Sequence, residues 1–574
     1  MNDLKEIIKL SKKAFKNMSH RGKYFFFANV LCLLSAAAID GATLLLLGKL
    51  LGAIEVRNNV LNTQAFNVLN FAILFMLFVS KGLGILFINF LTLKAFGKEE
   101  GELAYKIYSK YSAIDIDSRD NNTVGENLTT ILYSPSSVIR GLLLKVPMAA
   151  VELFNVVVIL ALLMFLNPLM AITSLLYFSV FILFQHVFVS KNARANGIKR
   201  GETLDSVSNL IIESNRMRKL LKIMGSSSLD AVVSDKLKTL GKTQSRAEFY
   251  SLMPRLLLET FFGFGLMVIG VVLWAFNGIE SALVGIALFG VAGFRLLPLL
   301  SHIQAITIQI LGDIPIARRA LLSENFELLD SAEENPKNSL HQILPENIHL
   351  KIDAVHYSYP SNKSKTLAGI SMNLEFGKSY AIVGRTGAGK STLVDLMLGL
   401  LKPTQGELIW NQEIPRILGY VPQNIELAAL SISKNIALDW SAGPAELNTD
   451  TLKNYTNLLN NLEKNQHNES AIDLSGGQKQ IVGILRALNH EPTFLVLDEA
   501  SSALDNETES MLSGLVHDLK GKCTVLLIAH RLNSIKSVDE IFYLDNGQVI
   551  SSGSFEKIRK EVPDFERQIR LGDI

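Results

Sequence analysis

Charge is scarce in this chain, and what there is nearly cancels. Asp, Glu, Lys and Arg make up 19% of the 574 residues, below the usual share of a soluble protein, and the shortfall falls in the first 320. Basic residues exceed acidic ones by only two, so overall charge gives no ground for nucleic-acid binding. Cysteine is almost missing: Cys32 and Cys523 lie far apart in different predicted environments and read as two small apolar residues. The segment from Met1 to Lys23 has no small-residue cleavage site and no apolar block, so no cleavable leader is expected.

Apolar residues are abundant instead, at 48%, with a positive mean hydropathy. A chain of this length is expected to form at least two domains. Leu4, Ile7, Ile8, Phe15 and Met18 fall near one helical face, with Lys5, Lys9, Lys12, Lys13 and Lys16 elsewhere around it. That pattern predicts a helix lying in the membrane interface. Six apolar stretches follow, at about 24–52, 64–96, 138–165, 169–189, 255–276 and 281–311, each near the ~20 residues needed to cross hydrocarbon. Short turns follow the first, third and fifth: Glu55–Thr63, Leu166-Asn167-Pro168 and Asn277–Glu280. Long connections, at roughly 97–137 and 190–254, follow the second and fourth and carry many lysines and arginines. The excess of positive charge places these connections and both termini on the cytoplasmic side. Asp40, Lys81, Lys145, Glu152, Arg255, Glu259 and Arg295 lie within or beside the spans. Ionisable groups there are costly unless paired or wet. Lys81, Arg255, Glu259 and Arg295 are the candidates for a substrate path, with a helix contact as the other reading of Lys81, Arg255 and Arg295, and Asp40, Lys145 and Glu152 are equally well read as paired inside the bundle or snorkelling to the interface. Pro147 and Pro298 are expected to kink their helices.

Composition turns polar near 323–346, where Glu333-Glu334-Asn335-Pro336 marks a linker. From about Ile348, strands alternate with helices in the manner of an α/β nucleotide-binding domain. The apolar strand Ser379–Val383 runs into Gly384-Arg385-Thr386-Gly387-Ala388-Gly389-Lys390-Ser391-Thr392. Glycines there let backbone N–H groups wrap phosphates; Lys390 suits the β and γ phosphates, and Ser391 suits Mg²⁺. A second apolar strand, Phe494–Leu497, ends in Asp498 and Glu499. Asp498 suits the Mg²⁺ shell, and Glu499 suits a general base for the attacking water. Asp545-Asn546-Gly547 between two strand-like runs reads as a hairpin turn.

With Leu474-Ser475-Gly476-Gly477-Gln478 between the phosphate loop and Asp498-Glu499, the chain resembles the ABC transporter family from end to end. The resemblance implies an all-α six-helix transmembrane domain over 1–322, a linker over 323–346 and an α/β P-loop ATPase domain over 347–574. It implies ATP and Mg²⁺ as cofactors, with Tyr359 stacking on adenine and Gln423 reaching the metal and water. His530 would sit at the γ-phosphate, and Ser502 and Asp505 would belong to the D-loop. Ser475, Gly476, Gly477 and Gln478 would meet the ATP held by an opposite subunit, so the partner is a second copy or a paralogous half-transporter. Two departures stand out. Ile481 replaces the arginine usual there, losing an exposed helix contact, and Asn465–Asp473 replaces the family's lead-in to the signature.

Pro254–Glu259, Phe294–Pro298 and Lys81 are similar to stretches of bacterial lipid-linked oligosaccharide flippases and polysaccharide exporters. Their basic residues suit a pyrophosphate. The first external loop is shorter than in those flippases. The expectation is ATP-driven export or flipping of a lipid-linked glycan across the cell membrane, the bacterial inner membrane, with the ATPase domain cytoplasmic. Its alternatives are an exporter of lipid, peptide or drug, and an ATP-gated channel or membrane sensor.

Overall fold

The computed structural model describes residues 2–55, 68–113, 124–166, 191–224, 227–322, 344–359, 366–445, 447–448, 474–498, 514–528 and 535–571, with isolated positions in 172–179. It divides into two compact units, the first taking most of the chain to Asn335 and the second running from Pro336 to Ile574.

The first unit is helical: α1 Asn2–Lys16, α2 His20–Glu55, α3 Val68–Ala113, α4 Val124–Ser136, a π-helical stretch Ser137–Leu144, α5 Lys145–Leu166, α6 Lys191–Arg216, α7 Arg218–Met224 and α8 Ser227–Leu322. Among the described residues five helical stretches are long and apolar enough to cross a membrane. The fourth expected span, 169–189, lies outside the described residues apart from isolated positions. The label α8 covers two helices, the fifth and sixth spans, which meet at Gly278 (φ 84°, ψ 176°), inside the expected Asn277–Glu280 turn. A residue without Cβ takes that φ at no steric cost. Pro298 does not break α8, which carries Pro254, Pro298 and Pro315 in its interior. Pro147 falls in the first turn of α5, directly after the π-helical stretch. That stretch lies between Pro135 and Pro147, two residues unable to donate a helix hydrogen bond.

One face of α1 packs within the helical unit. Leu10 and Ala14, with Met18 just beyond the helix, are buried against the π-helical stretch and α8, so this face meets protein. Glu6 on α1 accepts from Arg194 of α6 at 3.5 Å and from Arg318 of α8 at 2.8 Å. Ile8 remains exposed. The apolar periodicity was legible, but Leu10, its most buried member, was not among the five residues assigned to the face.

The second unit holds strands β1 Ile348–Tyr357, β2 Leu367–Glu375, β3 Ser379–Gly384, β4 Gln405–Trp410, β5 Leu418–Val421, β6 Phe494–Asp498, β7 Thr524–Ile528, β8 Glu540–Asp545 and β9 Gln548–Gly553. Helices α9 Lys390–Met397, α10 Ile432–Ala437, α11 Gly476–Leu488, α12 Phe555–Glu561 and α13 Pro563–Leu571 accompany them. Strands β2-β1-β4 form an antiparallel sheet. A six-stranded sheet has the order β5-β6-β7-β3-β8-β9, parallel except for β9. Its central strands β3 and β7 are buried throughout, as a parallel sheet covered on both faces requires. Alternation along β3 and β6 divides the core: Ala381, Val383, Leu495 and Leu497 pack with Val482 and Leu485 of α11. Tyr380, Ile382, Phe494 and Val496 pack with Leu393 and Met397 of α9 and with β1 and β2.

Candidate functional site

The order β6-β7-β3 brings three motif-bearing strands side by side in parallel. Asp498 pairs with Ile528, and Ile528 with Ile382, so their carboxyl ends reach one edge of the sheet. Ligands of open α/β sheets bind outside such ends. The phosphate loop leaves β3 at Gly384 (φ 154°), where a Cβ would lie 2.0 Å from the Leu544 carbonyl oxygen; glycine is required. Gly389 (φ 98°) caps α9 in the left-handed region. Between them Ala388 N–H donates to Arg385 O at 3.1 Å.

Lys390 is buried, and its Nζ donates to Gly384 O at 2.7 Å and Arg385 O at 3.1 Å. The cation is thus held beneath the loop by carbonyl oxygens. Ser391 is exposed in the first turn of α9, while Thr392 is buried and shares a 3.1 Å hydrogen bond with Tyr359 Oη. Tyr359 is braced edge-on by Tyr357, ring centres 5.0 Å apart. The hairpin at Asp545-Asn546-Gly547 forms as expected, with positive φ at Asn546 and Gly547. It also braces the loop, which sequence reasoning missed: Gly547 N–H donates to Ala388 O at 3.1 Å and Gly547 O accepts from Ala368 at 2.8 Å.

Asp498 ends β6 and accepts from Tyr420 Oη of neighbouring β5 at 3.3 Å; burial, then the carboxylate, raises the pKa of this phenol. Gln423 follows β5 and is exposed. Glu499, Ser502, Asp505 and His530 lie outside the described residues, as does the Asn465–Asp473 lead-in.

The signature run opens α11. Ser475 is its N-cap, accepting from Gln478 N–H at 3.3 Å, while Gln478 Oε1 accepts from Ser475 N–H at 2.9 Å. S-G-G-Q is therefore a capping box, and the Gln478 carboxamide is committed to it. Ser475 and Gly476 remain exposed at the helix start, an arrangement that suits an anion. Ile481 corrects an expectation: it is buried among Val421, Val482 and Leu485, so its substitution for arginine adds to the core and removes no exposed contact.

Arg486, further along α11, donates to Asn435 O at 2.8 Å and to Glu426 O at 3.3 Å. Asn435 is itself buried, exchanging hydrogen bonds with Ala428. Gly483 lies close under Ile425: a Cβ there would come within 2.5 Å of Ile425 Cδ1. The segment after Gln423 is thereby fastened to the signature helix.

In the helical unit the buried-pair reading applies widely. Lys81 of α3 meets Asp40 of α2 at 2.5 Å, with both side chains largely buried, so Lys81 joins two helices. Lys145 meets Asp313 at 3.2 Å and Glu152 bonds His302. Arg255 and Glu259 pair with each other at 2.8 Å, one turn apart on α8, and both stay largely exposed. The Arg295 side chain is outside the described residues.

Residues 26–225 match the family of the ABC transporter transmembrane region, and residues 367–502 match the ABC transporter family. An ATP-dependent lipid A-core flippase of Photobacterium profundum is 32% identical over 268 residues, 43% of this chain and 45% of the flippase. One of Shewanella denitrificans is 34% identical over 248 residues, 40% and 41% of the two chains. ABC transporter B family member 14 of Arabidopsis thaliana is 32% identical over 248 residues, 40% of this chain and 20% of that protein. The chain thus spans less than half the length of these curated relatives in the matched stretch. A solved structure of a bacterial Atm1-family ABC exporter with ATP bound shares the fold over 96% of this chain and 98% of its own, with TM-score 0.74 and 19% identity. The chain belongs to the ABC transporter family, with the transmembrane region and the ATPase region fused in one polypeptide.

Proposed function

We propose that this protein is a half-transporter which, as a dimer, uses ATP to export or flip an amphipathic substrate, a lipid-linked glycan or related lipid. The observation that carries the reading is the shared edge of β6, β7 and β3, with its glycine-built loop and buried Lys390, in one chain with long apolar helices. Backbone N–H groups of Arg385–Ser391 and the start of α9 receive the phosphates, and Lys390 exchanges loop carbonyls for phosphate oxygens. Ser391 and Asp498 offer the hard oxygen donors that magnesium takes, and with Gln423 they would hold the ion that neutralises phosphate charge. Glu499 orients and deprotonates the attacking water, and His530 contacts the γ-phosphate. Tyr359 stacks on the base.

Ser475 and Gly476 stand exposed on a pre-capped helix, ready to meet the nucleotide of a second chain. Two chains give two composite sites, each using Lys390 of one and Ser475 of the other. The reading of an amphipathic substrate is supported by the flippase relatives and by Arg255, exposed near the start of the fifth span. The membrane is the bacterial inner membrane, with the ATPase unit cytoplasmic.

The test is reconstitution in proteoliposomes against a panel of lipid-linked sugars, lipids and peptides. The reading expects hydrolysis stimulated by a lipid-linked sugar together with its flipping, both lost in Glu499→Gln. Hydrolysis indifferent to every solute, accompanied by ion flux, would replace the exporter with a channel.

A further inference from the structure

One side chain of the phosphate loop leaves the loop altogether. Arg385 reaches the last helix, where its Nε and Nη2 donate to the two carboxylate oxygens of Asp564 at 2.7 and 2.6 Å. This is the two-bond fork in which guanidinium and carboxylate match best. Asp564 also accepts from Tyr543 Oη at 2.9 Å. Tyr543 is buried in β8, directly beside Val383 of β3. One carboxylate therefore joins the loop, the sheet and α13.

The two residues that follow Asp564 are themselves anchored. Phe565 is fully buried, with its ring against Tyr543 and Phe555. Glu566 accepts from Arg559 of α12 at 2.5 Å and from Arg570 one turn on at 3.2 Å. Three successive residues at the start of α13 thus have three separate anchors, and the carboxylate cannot drift with a loose terminus.

The other end of Arg385 is its backbone carbonyl, which accepts both the Ala388 N–H and Lys390 Nζ. A displacement of Arg385 moves the turn and the lysine together. We propose that Asp564, assisted by Tyr543, is a positioning residue for ATP: through Arg385 it sets the phosphate loop before the nucleotide arrives. The C-terminal helix would then contribute to ATP affinity without touching ATP. The proposal rests on the reading of this loop as the ATP phosphate site.

Two rival roles predict different outcomes. An acidic residue in the first turn of α13 favours the helix dipole, which affects stability and leaves nucleotide affinity alone. Alternatively, Asp564 withholds Arg385 from the phosphates, so that its removal strengthens binding. The guanidinium is well exposed, at 61%, where solvent and salt weaken charge effects at a distance. Geometry through the fork is the larger contribution.

The experiment uses the full-length protein in lipid nanodiscs, with steady-state ATPase kinetics, binding of a fluorescent ATP analogue and thermal unfolding. Asp564→Asn should raise KM for ATP and Kd for the analogue about three- to fivefold, the size expected for a well-formed exposed fork, with kcat within about twofold. Tyr543→Phe should shift KM in the same direction, and Asp564→Glu should recover most of the loss. Unchanged KM in Asp564→Asn and Tyr543→Phe, with lowered unfolding temperature, overturns the proposal in favour of a helix-end role. A lowered KM overturns it in favour of restraint. If Lys390→Ala binds the analogue as tightly as the unaltered protein, the phosphate-site reading itself falls.

Discussion

Single residues in this chain are often most informative where they are most buried. His349 is fully buried among Phe376, Trp410 and Phe494, with Nδ1 against Thr524 Oγ1, and burial lowers its pKa from 6.5 to about 4. Its folded value lies below the unfolded one, so between them the unfolded chain binds the extra proton. Stability is full above about pH 6.5 and declines as pH falls toward 4, by roughly 3 kcal/mol for this group. Thermal unfolding of the full chain across pH 4–8 should show that slope, and His349→Leu should flatten it. Cys523 illustrates a second buried group: burial pushes its thiol up to about 12, so it stays protonated and inert at neutral pH. The phosphate-loop residues were legible because their chemistry is written in adjacent positions. Asp564 was not, since it lies 179 residues from Arg385 and only folding brings the two together. Lys81 and Asp40, 41 residues apart, posed the same difficulty: each was visible as a charge in an apolar stretch, but the pairing depends on how α2 and α3 meet.

At the scale of elements, the signature helix reads as two devices in one. Its first turn is a capping box, and its later turns carry Gly483 and Arg486, which hold the segment after Gln423. The S-x-x-Q spacing was present in the sequence, but the capping box that it forms was not read from it. Ile481 was read as a lost surface contact because a departure from arginine suggests exposure; the periodicity of α11 places it on the core side instead. Arg486→Ala should remove charge-assisted hydrogen bonds to two backbone carbonyls. A loss of roughly 2 kcal/mol lowers the thermal midpoint of a unit this size by about 4 to 8 °C. Arg486→Lys should recover little, because a lysine cannot span both acceptors with a planar fork. Differential scanning of the purified variants decides this.

For the whole molecule, the proposed dimer makes a quantitative demand. Lys390→Ala and Ser475→Arg chains should each be inactive alone, since every composite site in either homodimer lacks one essential group. Mixed in equal amounts before assembly, they should regain about a quarter of the normal ATPase rate, since half the two-fold dimers would carry one intact site. No recovery, with dimerisation verified, would mean that each chain completes its own site or that the two sites work only together. The division into a helical and an α/β unit was legible because hydropathy separates the two halves cleanly. The internal order β5-β6-β7-β3-β8-β9 was not, because neighbouring strands in a parallel sheet can lie far apart along the chain.

The π-helical stretch at Ser137–Leu144 has a practical corollary for anyone mapping distances across the helical unit. Each α-helical residue advances the azimuth by about 100°, and a wider turn advances it by less. A helical wheel drawn from Val124 to Leu166 as one α-helix therefore assigns the wrong azimuth to everything on one side of the stretch. Spin labels or engineered cysteine pairs chosen from such a wheel would point away from their intended partners. Positions on α4 and α5 need separate wheels, phased from the buried Thr129 on one and the buried Ile159 on the other.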